Sequence, residues 1–582
     1  MKLTTMAKRL LSLLLSAVLL FGALPAALAS ASPAETIQGS ASLADAIGSP
    51  ALRKAAADLQ PYVPPEGADL SAPADTELLQ AGSFLAACPA PKRTLTPQAE
   101  TAESRLVSGM LAFEETIDLS SFSITPAEIE QLFMRIINTH PEIFYVAGYY
   151  SMKNNPKIIA PAYIYTTRSI KAQTLLLNDV LNYILSQIPA ALSDAEKALW
   201  VHEYLTTTAE YDYEAAEMVT KDANKYLPYY YSAFNVYGIL VDGLGVCQGY
   251  ALAFLLLMQR LGVDCVFVSS DAMNHAWNMV KLGGQWYHVD TTWDDPSDFG
   301  RSTYTYFLLS DAAMQSKSPA HYGYASTAPA AANSTDYENF FWKDAKGPMV
   351  YYNGKWCYVK AYSRSPVYTG NMISVGYHLW TYTFATAESL QGVAIDSQPF
   401  PNGSISPGSM APPCLSIGNG LLCYTLYYEA CSLDSNLQNP TQLFADPVRA
   451  PGQIVGNIVL AGQMFYAVKA ANGKLSLQQR TVGPYNPPGI SPLQLTPWRK
   501  DMQYKEDFKF QASGNEIWYL WLTEDEAVAT MGDNGEVITT GTGATKVLCY
   551  SATGKYGDAN LTVAYAWWQW LILIFLFGWL WY

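Results

Sequence analysis

Two stretches of the chain carry the apolar spacing of amphipathic helices, and each is introduced by a capping pattern. Thr125-Pro126-Ala127-Glu128 places threonine at the cap, proline at the first helical position and glutamate three residues after the threonine. Apolar side chains then recur every three or four residues. Ser193-Asp194-Ala195-Glu196 repeats the pattern before a second helix, which we expect to reach Leu205. We assign both helices a packing role.

A third apolar run, from residue 252 to residue 261, predicts a buried helix that ends at Gly262. Three segments with the character of strands follow that helix along the chain: Val263–Ser269, Asn274–Val280 and Gln285–Asp290. The middle of the chain is therefore predicted to mix helix and sheet.

Gly283 and Gly284 separate the last two of these strands and predict a tight hairpin. If the two glycines form the loop, Trp277 lies opposite Asp290. Because residues two apart on a strand share a face, His275 becomes a diagonal neighbour of Asp290, roughly 7–8 Å away by Cα. The hairpin therefore predicts a His–Asp pair on one face of the sheet.

Beyond residue 338 the pattern changes to short aromatic strands that follow glycine-led turns. Three copies are clear: Gly354–Tyr358, Gly420–Tyr424 and Gly462–Tyr466. The last two begin about 42 residues apart, close to the period of a propeller blade. We therefore expect residues 338–500 to form an all-β repeat region, either propeller-like or a sandwich.

Both ends of the chain have the composition of targeting or membrane segments. Residues 1–31 combine early positive charge, an apolar core and small-residue cleavage sites, which predicts a signal peptide rather than a membrane anchor. Residues 32–100 are rich in Ala, Pro and Ser and predict a linker with short helical pieces. Residues 564–582 carry no charge and have Trp near both ends, which predicts a membrane anchor. The alternative for them is a final core strand with an aromatic tail.

Composition and charge narrow the classes of function. The 582 residues are 50% hydrophobic, which excludes a largely disordered protein. The formal net charge of −15 argues against a nucleic-acid partner, whose phosphates would be repelled. Eight widely spaced cysteines form neither a dense disulfide framework nor a CxxC metal pattern.

The candidate chemistry centres on Cys247, which stands at the first turn of the helix predicted before Gly262. At a helix N-terminus the unpaired N–H groups and the helix dipole favour a thiolate over a thiol. Together with His275 and Asp290, this cysteine completes a set of nucleophile, base and orienting carboxylate. Two alternatives stay open: Cys247 as a buried structural cysteine, and His288 as the base, since strand parity puts His288 on the same face.

Other polar residues receive no catalytic role. Asp294 and Asp295 precede a proline and are interpreted as turn residues. No second thiol or histidine stands at zinc-ligand spacing to Cys247, so we expect neither a metal nor a cofactor. The remaining histidines lack a motif context and are treated as ordinary: His140, His202, His321 and His378.

Residues 195–311 resemble the transglutaminase-like superfamily, specifically its secreted bacterial members. The matching runs are Tyr211-Asp212-Tyr213, Tyr237–Val241, Gly245–Ala251, Asn274–Asn278 and Trp286–Pro296. The resemblance implies a papain-like α+β core with Cys247 as nucleophile, His275 as base and Asp290 as the residue that orients it. It also favours His275 over His288. For the oxyanion of acyl transfer, the backbone N–H of Cys247 is one expected donor, and the further oxyanion or substrate contacts expected are Gln248, Trp277 or an upstream tyrosine.

A second resemblance covers residues 502–563, which are similar to the bacterial immunoglobulin-like group 2 domain. The matching runs are Glu526–Thr530, Asp533–Val537 and Gly541–Thr545. This resemblance implies an Ig-like β-sandwich that acts as a cell-surface spacer and carries no catalytic residue.

The sequence therefore predicts a multidomain protein in which a transglutaminase-like domain with a helical N-terminal extension occupies residues 101–337. We expect an extracytoplasmic thiol enzyme on a bacterial cell surface, in contact with the cell envelope and anchored to the membrane by its C-terminus. Its substrate would be a protein or peptide amide, and the acyl group would pass to an amine acceptor or to water. The alternative is a non-catalytic surface-binding protein that uses the β-rich C-terminal half.

Overall fold

The computed structural model describes residues 49–60, 65–66, 68–73, 101–296, 299–361, 367–374, 376–396, 400–401, 412–426, 429–445, 452–470, 475–484 and 490–576. The predicted signal peptide at 1–31 lies outside these residues, as do the last six positions of the predicted anchor. Most helices lie in the first half of the chain. The α-helices are Pro50–Ala56, Ala102–Leu111, Pro126–Thr139, Thr167–Gln187, Asp194–Thr208, Tyr213–Lys221, Ala223–Tyr230, Cys247–Arg260, Thr291–Asp294, Asp311–Ser316 and Trp567–Leu576.

Both predicted capping boxes are formed. The Thr125 side chain accepts a hydrogen bond from the backbone N–H of Glu128, and the Glu128 carboxylate accepts one from the backbone N–H of Thr125. Ser193 and Glu196 make the same reciprocal pair at the start of Asp194–Thr208. Each box satisfies N–H groups that the helix itself leaves unpaired, so the two helix starts predicted from the sequence are confirmed.

A four-stranded antiparallel sheet lies within the domain predicted over residues 101–337. Its strands, in spatial order, are Phe307–Leu309, Gln285–Val289, His275–Leu282 and Cys265–Ser270. Leu282 pairs with Gln285, so Gly283 and Gly284 form the two-residue loop, with φ of 56° and 86°. Both values lie in the left-handed region that glycine adopts without strain. The predicted hairpin and its register are therefore confirmed.

The helix Cys247–Arg260 packs against this sheet. Ala251 on the helix contacts Ala276 on the neighbouring strand. The buried Asn278 side chain donates from Nδ2 to the Ala251 carbonyl at 2.9 Å, which ties the first turns of the helix to the strand. The start of the helix and the start of the strand are thus held at the same end of the domain.

The helical N-terminal part carries its own antiparallel sheet, with strands Ala68–Pro73, Val146–Met152, Asn155–Tyr163 and Ile117–Asp118 in spatial order. The helix Pro50–Ala56 packs on the long helix Thr167–Gln187, where Ser169 Oγ and Gln173 Nε2 both donate to the Ala56 carbonyl at 3.2 Å. These contacts correct the prediction of a linker over residues 32–100. Residues 49–60 belong to the folded domain because one face of their helix is buried. Residues 68–73 belong to it because their strand pairs with Val146–Met152.

The region after residue 338 consists of separate open antiparallel sheets within the described residues. Their strands are Val350–Tyr352, Lys355–Ala361, Gly376–Thr383 and Glu388–Asp396; Val367–Thr369, Met372–Ser374 and Phe400–Pro401; Cys414–Gly418, Leu421–Leu426, Glu429–Ser432 and Thr441–Ala445; and Gly452–Leu460, Gln463–Ala470 and Leu475–Thr481. The three predicted glycine-led turns are all two-residue hairpin loops. Each loop, ending in Gly354, Gly420 or Gly462, has positive φ at both positions, as the type I′ turn requires.

These β-sheets pack on the domain predicted over residues 101–337. The Glu203 carboxylate accepts the Met349 N–H at 3.0 Å, and the Arg301 guanidinium donates to the Val455 carbonyl at 2.8 Å. Apolar side chains from both regions belong to one continuous core. The β-rich region is therefore a packed part of the molecule and not a detached appendage.

The last β unit has a hydrophobic core of its own, which includes Met502, Phe510 and Trp521. Its main sheet orders the strands Arg499–Gln503, Tyr556–Ala564, Gly543–Ser551 and Tyr519–Thr523, and two-stranded sheets join Leu495–Thr496 with Gln511–Ala512 and Ala529–Met531 with Val537–Thr539. The first strand of the main sheet, Arg499–Gln503, pairs in parallel with Tyr556–Ala564 and therefore belongs to this unit. Most of that strand lies upstream of residue 502, so the unit begins before the predicted boundary.

The predicted anchor is described over residues 564–576: Ala564 ends the final strand, and a ten-residue helix, Trp567–Leu576, follows. The buried Gln569 side chain caps its start: Oε1 accepts the Ala566 N–H at 2.7 Å, and Nε2 donates to the Tyr504 carbonyl at 2.8 Å. Among the residues that the structure describes, no helix combines the length and the apolar character needed to cross a membrane.

Candidate active site

Cys247 is the first residue of the helix Cys247–Arg260, and it is half-buried. Val246 at the N-cap makes no side-chain cap, so the first N–H groups of the helix are left for other partners. Gly249 allows a close approach here, because a Cβ at this position would lie 2.8 Å from the Ala233 carbonyl oxygen. The sequence therefore presents a thiol at an uncapped helix N-terminus.

His275 and Asp290 form a buried pair on the confirmed hairpin. Nε2 of His275 lies 2.7 Å from Oδ2 of Asp290, and the two side chains are 6% and 0% exposed. Asp290 also caps the short helix Thr291–Asp294, where its Oδ1 accepts the Trp293 N–H at 3.1 Å. The carboxylate is thus fixed from both of its oxygens.

Two indole rings hold the His275 ring in place. Trp293 stacks on it with ring centres 4.6 Å apart and planes 17° apart. Trp277 stacks at 5.6 Å and 22°. Aromatic faces attract a cationic ring as well as restrict its rotation, so this arrangement suits an imidazolium held in one orientation.

The charges of this pair reinforce each other. Burial alone would lower the pKa of His275, but the charges and hydrogen bonds of its neighbours, those of Asp290 foremost, outweigh burial and raise that pKa to about 10. Burial would raise the pKa of Asp290, yet the charge and hydrogen bond of His275, with a further bond from His321, lower it. A hydrogen bond with Cys247 and the charge of Cys247 also raise the pKa of His275, so the thiol lies within reach of the imidazole ring. Since Nε2 is engaged by Asp290, Nδ1 is the ring atom left to exchange a proton with Cys247.

Strand parity left His288 open as an alternative base, but its ring nitrogens are not available for that role. Its Nε2 lies 2.8 Å from Oδ1 of Asp311, and its Nδ1 accepts the Trp277 indole N–H at 3.0 Å. Both ring nitrogens are therefore occupied, and the ring is fully buried.

The same contact corrects the expected role of Trp277. Its single donor is used on His288 and its side chain is buried, so it packs against His275 and offers no N–H to an oxyanion or a substrate. Gln248, the other expected contact, is half-buried at the second position of the helix. It lines a small apolar pocket with Ile137, Phe144 and Leu252.

Tyr211 is the upstream tyrosine that the fold brings to the site. Its short strand, Glu210–Tyr211, pairs in parallel with Leu244–Gly245, directly before Cys247. Burial, followed by the charges of Cys247 and other neighbours, raises the pKa of Tyr211 well above its ordinary value of 10. The phenol therefore keeps its O–H proton and remains a hydrogen-bond donor near the thiol.

Two histidines treated as ordinary are in fact part of the site or next to it. Nε2 of His321 lies 2.8 Å from Oδ2 of Asp290, the same oxygen that faces His275. His202 Nε2 lies 3.1 Å from Oδ2 of Asp294, and both side chains are fully buried. Asp294 is thus a buried partner and not a surface turn residue, and Asp295 likewise accepts the Tyr250 hydroxyl at 2.6 Å.

His275, Asp290 and His321 also offer three metal-type donor atoms within 4.8 Å of one another. The two imidazole–carboxylate distances of 2.7 and 2.8 Å are hydrogen-bond distances, in which each N–H proton stands between the heavy atoms. We therefore interpret the cluster as a hydrogen-bonded network.

Comparison with known proteins identifies a transglutaminase-like domain in this chain: residues 184–291 match the model of the transglutaminase-like superfamily. Kyphoscoliosis peptidase of Mus musculus is 33% identical over 133 residues, which cover 20% of this chain and 18% of that protein. The Homo sapiens protein of the same name is 30% identical over 166 residues, 23% of each chain. This chain thus spans about a fifth of the length of these relatives. A solved structure described as "Crystal structure of a TGase" matches 25% of this chain and 44% of its own, with 17% identity and a TM-score of 0.18.

Proposed function

We propose that this protein is a thiol acyltransferase or hydrolase that acts on protein or peptide amides through Cys247, His275 and Asp290. The observation that carries the proposal is the buried His275–Asp290 pair beside a thiol at an uncapped helix N-terminus. A nucleophile, a base within reach of it and a residue that orients the base are the parts such chemistry needs.

In the first half of the reaction, the Cys247 thiolate attacks the carbonyl carbon of the amide. The new C–S bond forms as the carbonyl electrons move to oxygen, and the C–N bond then breaks. His275, as imidazolium, gives its Nδ1 proton to the leaving amine, while Asp290 keeps the ring oriented. The products of this half are a thioester on Cys247 and a free amine.

The oxyanion of this step needs preorganised donors. The backbone N–H of Cys247 is one, because the first N–H groups of its helix have no intrahelical acceptor. The Tyr211 hydroxyl, held protonated near the thiol, is our candidate for the second. Gln248 is the alternative, since its side chain begins one residue after the nucleophile.

In the second half, an amine or a water molecule attacks the thioester. His275 takes the proton of the incoming nucleophile, and the Cys247 thiolate leaves. An amine gives a crosslinked product, whereas water gives deamidation or peptide cleavage. The match to relatives named as peptidases supports the hydrolytic branch, and the match to the transglutaminase-like model is compatible with either.

We further propose that the protein works outside the cytoplasm of a bacterium, in contact with the cell envelope. The composition of residues 1–31 supports export, and the uncharged segment 564–582 supports attachment to a membrane. On the same proposal the unit over residues 502–563 is an Ig-like spacer. The β-rich half could also bind a surface partner without catalysis, and the following experiment separates the two functions.

The test is incubation of the full chain with a library of glutamine-containing peptides, with and without a primary amine, read by mass spectrometry. Cys247→Ala is the matched control. An adduct that needs the amine identifies transfer, a gain of about 1 Da identifies deamidation, and chain fragments identify proteolysis. If wild type and Cys247→Ala leave the library equally unchanged, the proposal is wrong for peptide amides and the binding function gains support.

A further inference from the structure

We propose that His321 is a positioning residue for the His275–Asp290 pair: its Nε2–H donates to Asp290 Oδ2 beside the His275 bond and holds the carboxylate ionised and oriented. The inference rests on the function proposed above. It adds a fourth side chain to the three that the sequence motifs identify, and His321 lies outside every one of those motifs.

The direction of the hydrogen bonds follows from the state of Asp290. Its lowered pKa means that the carboxylate is ionised, and an ionised carboxylate can only accept hydrogen bonds. Both Nε2 atoms facing Oδ2 must therefore carry a proton. Two N–H donors converge on one oxygen, at 2.7 Å from His275 and 2.8 Å from His321.

The other ring nitrogen shows which charge state of His321 fits. Nδ1 of His321 is fully buried and has no hydrogen-bond partner in the described part of the chain. A protonated ring would bury an unpaired N–H at that atom, whereas a neutral ring buries only a lone pair. Burial, as the largest cause, and the charge of His275 lower the pKa of His321 against the pull of Asp290. The ring is thus a neutral donor.

A neutral donor has a specific consequence for the reaction. When His275 gives up its proton, Asp290 loses the cation that balances it and remains a buried carboxylate. His321 then supplies a hydrogen bond that does not depend on the charge of His275. This hydrogen bond stabilises the Asp290 carboxylate and so weakens its attraction for the proton on His275. The pKa of His275 is therefore lower than it would be without His321, and His275 releases its proton to the leaving amine more readily.

Several titratable groups on neighbouring elements face the same cluster. Trp293, from the short helix after Asp290, also contacts the His321 ring, with ring centres 4.3 Å apart. The titratable groups are Cys247, Tyr211, His288, Asp294 and Tyr306. The test therefore has to read His275 and His321 individually and not only the overall pH dependence of activity.

The chain has six histidines, so selective ¹⁵N labelling of histidine allows each ring to be followed by NMR, with the His275 and His321 signals assigned from their loss in His275→Gln and His321→Gln. In the wild type we expect His321 to remain in the neutral Nε2–H form from pH 6 to pH 9. A cationic ring or an Nδ1–H tautomer of wild-type His321 in that range would overturn the proposal.

Two substitutions of His321 then separate the effect of its N–H donor from the effect of its ring volume. His321→Gln keeps an N–H donor near the position of Nε2, and His321→Phe keeps the ring volume without the donor. We expect His321→Phe to raise the pKa of His275 by about one unit, while His321→Gln leaves it within a few tenths. Equal pKa values of His275 in both variants, or a lower value in His321→Phe, would contradict the proposal. His321→Leu is the replacement if His321→Phe does not fold.

Turnover gives an independent readout. We expect His321→Phe to lower kcat about tenfold at neutral pH with KM unchanged, and His321→Gln to restore most of it. If the wild type turns over no peptide but the NMR results hold, the proposed function fails and the role of His321 stands. If turnover is present but the NMR shifts are absent, the role of His321 fails alone.

Discussion

Asn278 Nδ2 donates to the Ala251 carbonyl at 2.9 Å and so joins the helix that begins at Cys247 to the strand that begins at His275. The Asn278 side chain is fully buried, and the same amide lies 3.3 Å from the Val266 carbonyl on the next strand. The Asn278 side chain therefore connects its own strand to the helix and to the neighbouring strand. On the proposed mechanism, Asn278 helps to set the distance between Cys247 and His275 without taking part in the reaction.

We predict that Asn278→Ala lowers the free energy of unfolding by about 1–3 kcal/mol, because buried carbonyls lose their donor. It should also slow alkylation of Cys247, since the helix start is no longer tied to the strand. The matched control is Asn457→Ala in the β-rich region, where a buried Asn donates to the Cys414 carbonyl at 2.9 Å. The control should lose comparable stability with no change in the alkylation of Cys247. Equal effects of both variants on that rate would contradict the prediction.

Tyr211→Phe tests the oxyanion donor. We expect it to reduce kcat on the order of a hundredfold with little change in KM, because the hydroxyl acts mainly on the charge that develops in the transition state. Alkylation of Cys247 by iodoacetamide passes through no oxyanion and should keep its wild-type rate. A fall in both rates would instead assign Tyr211 to the local fold or to the thiolate.

The buried His202 predicts a pH dependence of stability. Burial lowers the pKa of His202, but the hydrogen bond and charge of Asp294, with the charge of Glu203, outweigh burial and raise that pKa to about 9. The folded state therefore holds a proton that the unfolded state loses near pH 6.5. This contribution is fully present below pH 6.5 and is lost as the pH rises through about 9.

We therefore expect the free energy of unfolding to fall between pH 6.5 and pH 9, by up to about 1.4 kcal/mol per pH unit for this proton. His275 adds a contribution of the same sign, because its pKa is also raised, to about 10. Denaturant unfolding at several pH values measures the slope, and His202→Gln should reduce it. An unchanged slope in that variant would show that His202 is not protonated in the folded state.

The sequence allowed the prediction of those parts of the site that local rules determine. Two glycines set the loop of the hairpin, and the loop set the register that brings His275 near Asp290. The start of the helix at Cys247 followed from the apolar run behind it. In each case the relevant residues lie within about fifteen positions of one another.

His321 could not be predicted in this way. It lies 31 residues after Asp290, in a segment with no regular secondary structure at its position, and no periodicity fixes where its ring points. The pairing of His202 with Asp294 spans 92 residues and depends on how a helix packs on the sheet. The packing of Pro50–Ala56 on Thr167–Gln187 is likewise a tertiary contact, and composition alone suggested a linker there.

Site-resolved thiol alkylation of the full chain tests the central claim most directly. Cys265 is the internal control, because it is half-buried like Cys247 but lies on a strand, where burial raises its pKa. At pH 7, below the pKa of about 8.5 of a free cysteine, we expect iodoacetamide to modify Cys247 on the order of a hundredfold faster than Cys265. Peptide mapping of the time course gives both rates, and His275→Gln should remove most of the difference. Equally slow modification of Cys247 and Cys265 in the wild type would contradict the assignment of Cys247 as an activated nucleophile.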